Sequence, residues 1–128
     1  MKVYLAGGLR SGWQDKLKKR LALDGITWID PRNHKLLDEE QFTPADLAGI
    51  KAADVLFAYL EKDNPAGYDL AFEIGYAHAL GKTVVLVFED ERKYFRMPVA
   101  AADVVFRSLE YGAWYLENLR LMIDGDKK

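Results

Sequence analysis

The 128-residue chain contains no cysteine and only two histidines, His34 and His78. The first absence excludes disulfides, zinc–thiolate centres and thiol nucleophiles. The second argues against a histidine-rich metal site. Excess positive charge is missing too: 18 Lys and Arg against 20 Asp and Glu leave a formal net charge of −2. Binding to a nucleic-acid polymer needs a basic patch, so no such partner is expected. The N-terminal run MKVYLA breaks at Gly7-Gly8, too short for a signal peptide or a membrane span. A cytoplasmic protein without a membrane partner is therefore expected. No internal repeat, low-complexity segment or interdomain linker is present.

What is there is core-forming. Half of the residues are hydrophobic, and a chain of this length buries roughly two-thirds of its unfolded surface. One domain, residues 1–128, is expected, with a frayed tail at 123–128. Short β-rich runs alternate with helical patterns. Lys2 to Ala6 reads as a strand ended by the glycine pair. Ser11 opens an S-x-x-Q capping box with Gln14, and Trp13, Leu17 and Leu21 form a helical stripe closed by Gly25. Ile26 to Ile29 is a second strand, and Pro31 to Phe42 a polar loop. Thr43-Pro44-Ala45-Asp46 reads as a helix start, with threonine as cap and proline in the first helical position.

Val55 to Leu60 is a third strand, Glu61 to Gly67 a loop containing Asn64-Pro65, and Tyr68 to Leu80 a helix. The run TVVLVF, Thr83 to Phe88, has the unbroken apolar character of a central parallel strand. A charged connection, Glu89 to Pro98, leads to a strand at Val104 to Phe106 and a helix from Leu109 to Met122. This order predicts a flavodoxin-like, doubly wound α/β domain with a five-stranded parallel sheet, whose ligands bind beyond the carboxyl ends of the strands.

That topology brings Tyr4, Arg10, Asp46 and Glu73 towards one edge. Glu73 lies in YDLAFEIGYAHAL, a helix apolar on nearly every side, where a carboxylate must be compensated or functional. An anion held there suits attack on a sugar carbon; a helix-start glutamate facing water is the alternative. Asp46 fits a T-x-x-D cap, a role compatible with meeting a ligand. Arg10-Ser11-Gly12, after a glycine pair and at a helix start, could hold an anion, or Arg10 could be a surface residue beside a capping serine. Asp69 and Glu73, four residues apart, could pair as carboxylates, with a solvated first-turn Asp69 as the alternative. His34 reads as loop surface and His78 as a packed or water-facing helix residue.

Three segments, in order, carry a resemblance: VYLAGG from Val3, DLAGIKAAD from Asp46, and AFEIGYAHALGK from Ala71. Together they resemble the nucleoside 2-deoxyribosyltransferase family over about residues 3 to 106. By that resemblance Glu73 matches the nucleophile, Asp46 the aspartate that contacts the nucleobase and helps protonate it, and Tyr4 the tyrosine that orients the nucleophile. The resemblance also implies a nucleoside or nucleotide substrate, no cofactor and no metal. It further implies a homodimer or higher oligomer in which a neighbour's segment, around Met97, closes each site. The apolar and aromatic residues Tyr94, Phe95, Tyr111, Trp114 and Tyr115 are numerous enough for such an interface.

The chain departs from the transferase pattern at Gly67, where an aspartate usually contacts the sugar hydroxyls; Asn64 and Asp69 are the candidate substitutes. The stretch GLRSGWQD, with Gly7 just before it and Gly8 as its first residue, resembles the deoxynucleoside 5′-monophosphate N-glycosidase branch. In that branch Arg10 and Ser11 would hold a 5′-phosphate and water would replace the acceptor base; a serine near Gly67 is missing. A nucleotide-binding sensor using the same crevice without turnover is the non-enzymatic alternative.

Overall fold

The computed structural model describes residues 1–22, 25–64, 67–91 and 94–126. Five strands, β1 (Lys2–Gly7), β2 (Thr27–Ile29), β3 (Val55–Leu60), β4 (Thr83–Phe88) and β5 (Val104–Phe106), form one parallel sheet. Their order is β2-β1-β3-β4-β5, the flavodoxin-like arrangement. Among the described residues five α-helices cover it: α1 (Trp13–Arg20), α2 (Glu39–Ala52), α3 (Tyr68–Ala79), α4 (Arg96–Ala101) and α5 (Leu109–Asp126). Among the described residues no helix is long and apolar enough to cross a membrane.

Strand periodicity divides the core. Val3 and Leu5 of β1, with Phe57, Val85 and Val87, pack under Trp13 and Leu17 of α1 and Leu116 of α5. Tyr4 and Ala6, with Leu56, Leu60 and Leu86, pack under Ile50 of α2 and Leu70 and Ile74 of α3. Both faces of β3 and β4 are covered, which is why VLFAYL and TVVLVF are apolar throughout.

The structure corrects several local readings. Ser11 does not cap α1: Gly12 occupies that position, in the left-handed region at φ 79°, with no side-chain cap. Gln14 instead turns inward and donates to the Gly8 carbonyl at 2.9 Å, beside the Trp13 indole at 2.8 Å. These two bonds satisfy polar atoms buried under the β1 turn, a stronger demand than an exposed cap. Helix α1 ends at Arg20, before Gly25.

Helix α2 begins at Glu39, not at Thr43, because the Asp38 carboxylate accepts the Glu40 amide at 3.0 Å. Pro44 therefore lies inside the helix. The carbonyl that loses its partner belongs to Glu40, in the solvent-exposed first turn, where water can satisfy it. Asp46 is consequently an interior helical residue and not a cap. The connection after β4 contains the short helix α4, anchored by buried Phe95 stacked on Phe88 at 5.5 Å between ring centroids. Helix α5 continues to Asp126. Pro65 lies outside the described residues.

Candidate active site

Strands β1 and β3 run side by side, with Gly7 opposite Tyr59 at their carboxyl ends. The chain leaves β1 for one face of the sheet and β3 for the other. Their loops therefore diverge and leave a crevice, as expected where strand order reverses. A cleft of about 940 Å³ opens there. Gly7 lets its floor close tightly: its φ is 147°, and a Cβ would lie 2.5 Å from the Tyr59 carbonyl oxygen.

Three elements deliver the central side chains. Tyr4 points from β1 towards the α2–α3 face, Asp46 comes from the second turn of α2, and Glu73 from the second turn of α3. Helix α2 can approach the Tyr4 ring because Gly49 has no side chain: a Cβ there would sit 3.0 Å from Tyr4 Cε2 and 3.1 Å from Ile29 Cγ2. The ring is buried, and its hydroxyl has no hydrogen-bond partner of standard geometry. Burial and then the charges of Glu73 and Asp46 raise the pKa of this phenol, so it stays protonated. A protonated phenol between two acids is a donor waiting for alignment.

Burial pushes the Glu73 carboxyl up to about 7, the nearby Tyr4 hydroxyl offsets part of this, and the charges of Asp46 and Asp69 add to it. Asp46 accepts a hydrogen bond from His34: Nε2 lies 2.8 Å from Oδ1. His34 was read as loop surface, yet it lines the cleft. No sequence spacing advertises the pair, since His34 follows a 3-10 turn at Pro31–Asn33 and Asp46 lies in the second turn of α2. Buried Asp30 fixes that 3-10 turn. Its carboxylate accepts from the Arg32 amide at 3.0 Å, from the Arg32 guanidinium at 2.7 Å and from Lys18 at 2.8 Å. Burial alone would raise the Asp30 carboxyl; these donors outweigh it and hold it at about 2.

The sequence profile of the nucleoside 2-deoxyribosyltransferase family matches residues 3–125. The chain belongs to that family. It is accordingly an enzyme acting on nucleosides or nucleotides. A 2-deoxyribosyltransferase from the psychrotolerant bacterium Bacillus psychrosaccharolyticus is similar at 25% identity and TM-score 0.71, over 92% of this chain and 91% of that one. A 2-deoxyribosyltransferase from Leishmania mexicana shares the fold at 19% identity and TM-score 0.74, over 91% and 97% of the two chains. A CMP N-glycosidase from Clostridium botulinum does so at 21% identity and TM-score 0.63, over 91% and 98%. A search of curated proteins finds no significant match.

Of the residues that resemblance to the nucleoside 2-deoxyribosyltransferases singled out, Tyr4, Asp46 and Glu73 meet in the cleft. Gly7, Gly8, Arg10, Ser11, Asn64 and Asp69 also line it. Gly67 does not; it is the buried residue preceding α3. Met97 stands on α4, 85% exposed and outside the cleft walls. His78 faces solvent. Sequence reasoning missed, besides His34, the apolar wall made by Leu36, Phe42 and Leu47 and the acidic wall that includes Glu61 and Glu89. Ser11 Oγ donates to Glu61 Oε1 at 2.8 Å, and Tyr59 donates to Glu89 at 2.8 Å.

Proposed function

We propose that this member of the family cleaves the N-glycosidic bond of a 2′-deoxynucleoside through a covalent sugar ester on Glu73 and transfers the sugar to a second base. The observation that carries this reading is Glu73 itself: a half-buried carboxylate with raised proton affinity, flanked by a protonated phenol and a second acid in a cleft that fits a nucleoside. A carboxylate of high proton affinity is the stronger nucleophile once ionised.

In the first step Glu73 donates an electron pair to C1′ as the C1′–N bond breaks. That bonding pair goes to the base nitrogen, and Asp46 supplies the proton that neutralises the departing base. In the second step the nitrogen of an acceptor base attacks C1′, its N–H proton passes to the Asp46 carboxylate, and the C1′–O bond breaks with its electron pair returning to Glu73, as in retaining glycosidases. Tyr4 donates to Glu73 and keeps its oxygen aimed. The apolar wall at Leu36 and Phe42 suits a base, and Asp69 and Asn64 suit the donor hydroxyls of a sugar.

Hydrolysis of a 5′-monophosphate is the second reading, and Arg10 favours it: its exposed guanidinium lines the cleft and makes no ion pair among the described residues. The surroundings favour the neutral substrate. Glu61, Asp63, Asp69 and Glu89 line the same cleft, and Ser11, the other phosphate candidate, is already bonded to Glu61. A doubly charged phosphate would meet like charges there.

The deciding assay incubates the enzyme with 2′-deoxynucleosides and their 5′-monophosphates, with and without a free acceptor base, and separates the products. Base exchange that depends on the acceptor supports transfer. Base release from monophosphates alone, without exchange, replaces it with hydrolysis. No turnover of any member, with the fold intact, would return the chain to a nucleotide sensor.

The same reading includes a homo-oligomer. Tyr68, Tyr94 and Met97 are almost fully exposed, and Phe72, on the same helix as Tyr68, lines the cleft. Exposed apolar side chains at the cleft wall and on α4 suit a neighbouring copy that completes the site.

A further inference from the structure

His34 lies outside every motif that identifies the family, yet its geometry is fully specified. The Leu36 amide donates to Nδ1 at 3.0 Å. An Nδ1 that accepts carries no proton, so the neutral ring carries its proton on Nε2, 2.8 Å from Asp46 Oδ1. Between His34 and Leu36 the backbone turns back through Lys35 at φ 56°, the one non-glycine residue among those described in the left-handed region. A lysine held there works against its own backbone preference. The local structure therefore maintains one imidazole tautomer and one ring direction. His34 and Asp46 line both the main cleft and a recess of about 340 Å³.

We infer that His34 is a positioning residue for Asp46: its Nε2–H orients the carboxyl towards the departing base and stabilises the carboxylate that Asp46 becomes as it gives up its proton. This rests on the proposed role of Asp46. With Nδ1 occupied and Nε2 protonated, the neutral imidazole cannot act as a general base, so its contribution runs through Asp46. As the C1′–N bond breaks, the proton passes from Asp46 to the base nitrogen and negative charge develops on Asp46. A hydrogen bond from a neutral donor to an oxygen that is becoming anionic strengthens along that coordinate and so favours the transition state over the bound substrate. The effect is greatest for bases that need most help in leaving.

The test compares His34→Ala, His34→Gln, Asp46→Asn and the His34→Ala/Asp46→Asn double variant. The donor is the 2′-deoxynucleoside that turns over fastest, followed by one with a poorer leaving base. His34→Ala is expected to lower kcat by about 10- to 100-fold with little change in KM, the range for losing a hydrogen bond to a charged group. The loss should be larger for the poorer leaving base. His34→Gln, whose amide N–H reaches a similar position without titrating, should recover most of the rate. In the Asp46→Asn background the His34 substitution should add almost nothing.

Nitrogen-15 spectra of the two ring nitrogens give a reading independent of turnover and should show the Nε2–H tautomer, with assignment secured by His78→Gln. A full His34→Ala loss that persists in the Asp46→Asn background, an Nδ1–H tautomer, or wild-type kcat in a folded His34→Ala variant would each overturn the inference. If Asp46→Asn alone keeps the wild-type rate, the role of Asp46 fails first and the inference falls with it. A slowed Asp46→Asn beside an unimpaired His34→Ala leaves the proposed mechanism standing and removes His34 alone. Should His34→Ala fail to fold, His34→Gln and the tautomer still decide.

Discussion

At position 73, burial and two neighbouring acids work against ionisation, so the residue proposed as the nucleophile opposes the fold. Between pH 4.5 and about 7 the folded enzyme holds a proton that the unfolded chain has released. Stability therefore falls as pH rises through that window. Glu73→Gln removes the conflict and should raise stability near pH 8 by about 1–3 kcal/mol, allowing for partial solvent screening. The gain should vanish below pH 4.5, where both side chains are neutral; denaturant titrations at the two pH values measure it. The same variant should lose base exchange. In the wild type, the acid limb of kcat/KM should rise with pH up to about 7, since attack needs the ionised form of Glu73. A flat profile between pH 5 and 8 would separate the rate from Glu73. Asp46→Asn should slow chemistry by about 10²–10⁴-fold, the usual worth of general acid–base help. As an interior helical residue, Asp46 should lose little stability when replaced, which calorimetry can check. If the substrate is a nucleoside, Arg10→Ala should leave its kcat/KM nearly unchanged; a loss of about 1.5–3 kcal/mol confined to the 5′-monophosphate would support the second reading.

Two elements set the precision of the site. Helix α2 lies close to β1 only because Gly49 has no Cβ. Gly49→Ala gains about 1 kcal/mol of helix propensity but must push the Tyr4 ring or the helix by a few tenths of an ångström, an overpacking cost of about 1–3 kcal/mol. The expected outcome is a small net destabilisation with a clear fall in kcat, because the displaced ring carries the hydroxyl proposed to aim Glu73. A more stable variant at full rate would show that Tyr4 tolerates movement. The 3-10 turn at Pro31–Asn33 is the second such element. Asp30→Ala leaves Lys18 and Arg32 without their buried partner; since both cations are partly exposed, the loss should be about 2 kcal/mol, below the roughly 3–5 kcal/mol of a fully buried pair. Because the Asp30 carboxyl sits at about 2 in the folded state, its stabilisation is complete above its ordinary value of 3.8 and is lost as pH falls through about 2. The variant should also loosen His34 and slow turnover.

For the whole molecule, the cleft and the exposed surface beside it form one question. A neighbouring copy seated over Phe72 and Met97 would cover apolar side chains and exclude water from the reacting sugar. Sedimentation at micromolar concentration should give a dimer or larger species. Met97→Glu, on an exposed position of α4, should shift the enzyme towards monomer and lower its activity together, without unfolding it. A fully active monomer would show that one chain completes the site. Not every aromatic residue expected at an interface is available. Phe95 is buried against Phe88, and Tyr115 packs on Phe106, whereas Tyr111 and Trp114 remain on the outer face of α5.

By itself the sequence determined the alternation of strands and helices, because buried parallel strands must be apolar on both faces and TVVLVF and VLFAYL are. It also determined where Glu73 would emerge, since a strand-end loop leads into an apolar helix of fixed pitch. It misjudged the starts of α1 and α2. Ser11 and Thr43 both have capping chemistry, and local chemistry does not reveal that Ser11 is claimed by Glu61, fifty residues away, or that Asp38 starts α2 one turn earlier. Only tertiary structure decided what surrounds the candidate catalytic groups. Burial beside Asp46 and Asp69 sets the acidity of Glu73, and the close approach allowed by Gly49 places Tyr4. A strained turn at Lys35 aims His34 at Asp46. Each of these depends on distances between segments far apart in the chain, which periodicity and capping signals, being local, do not encode.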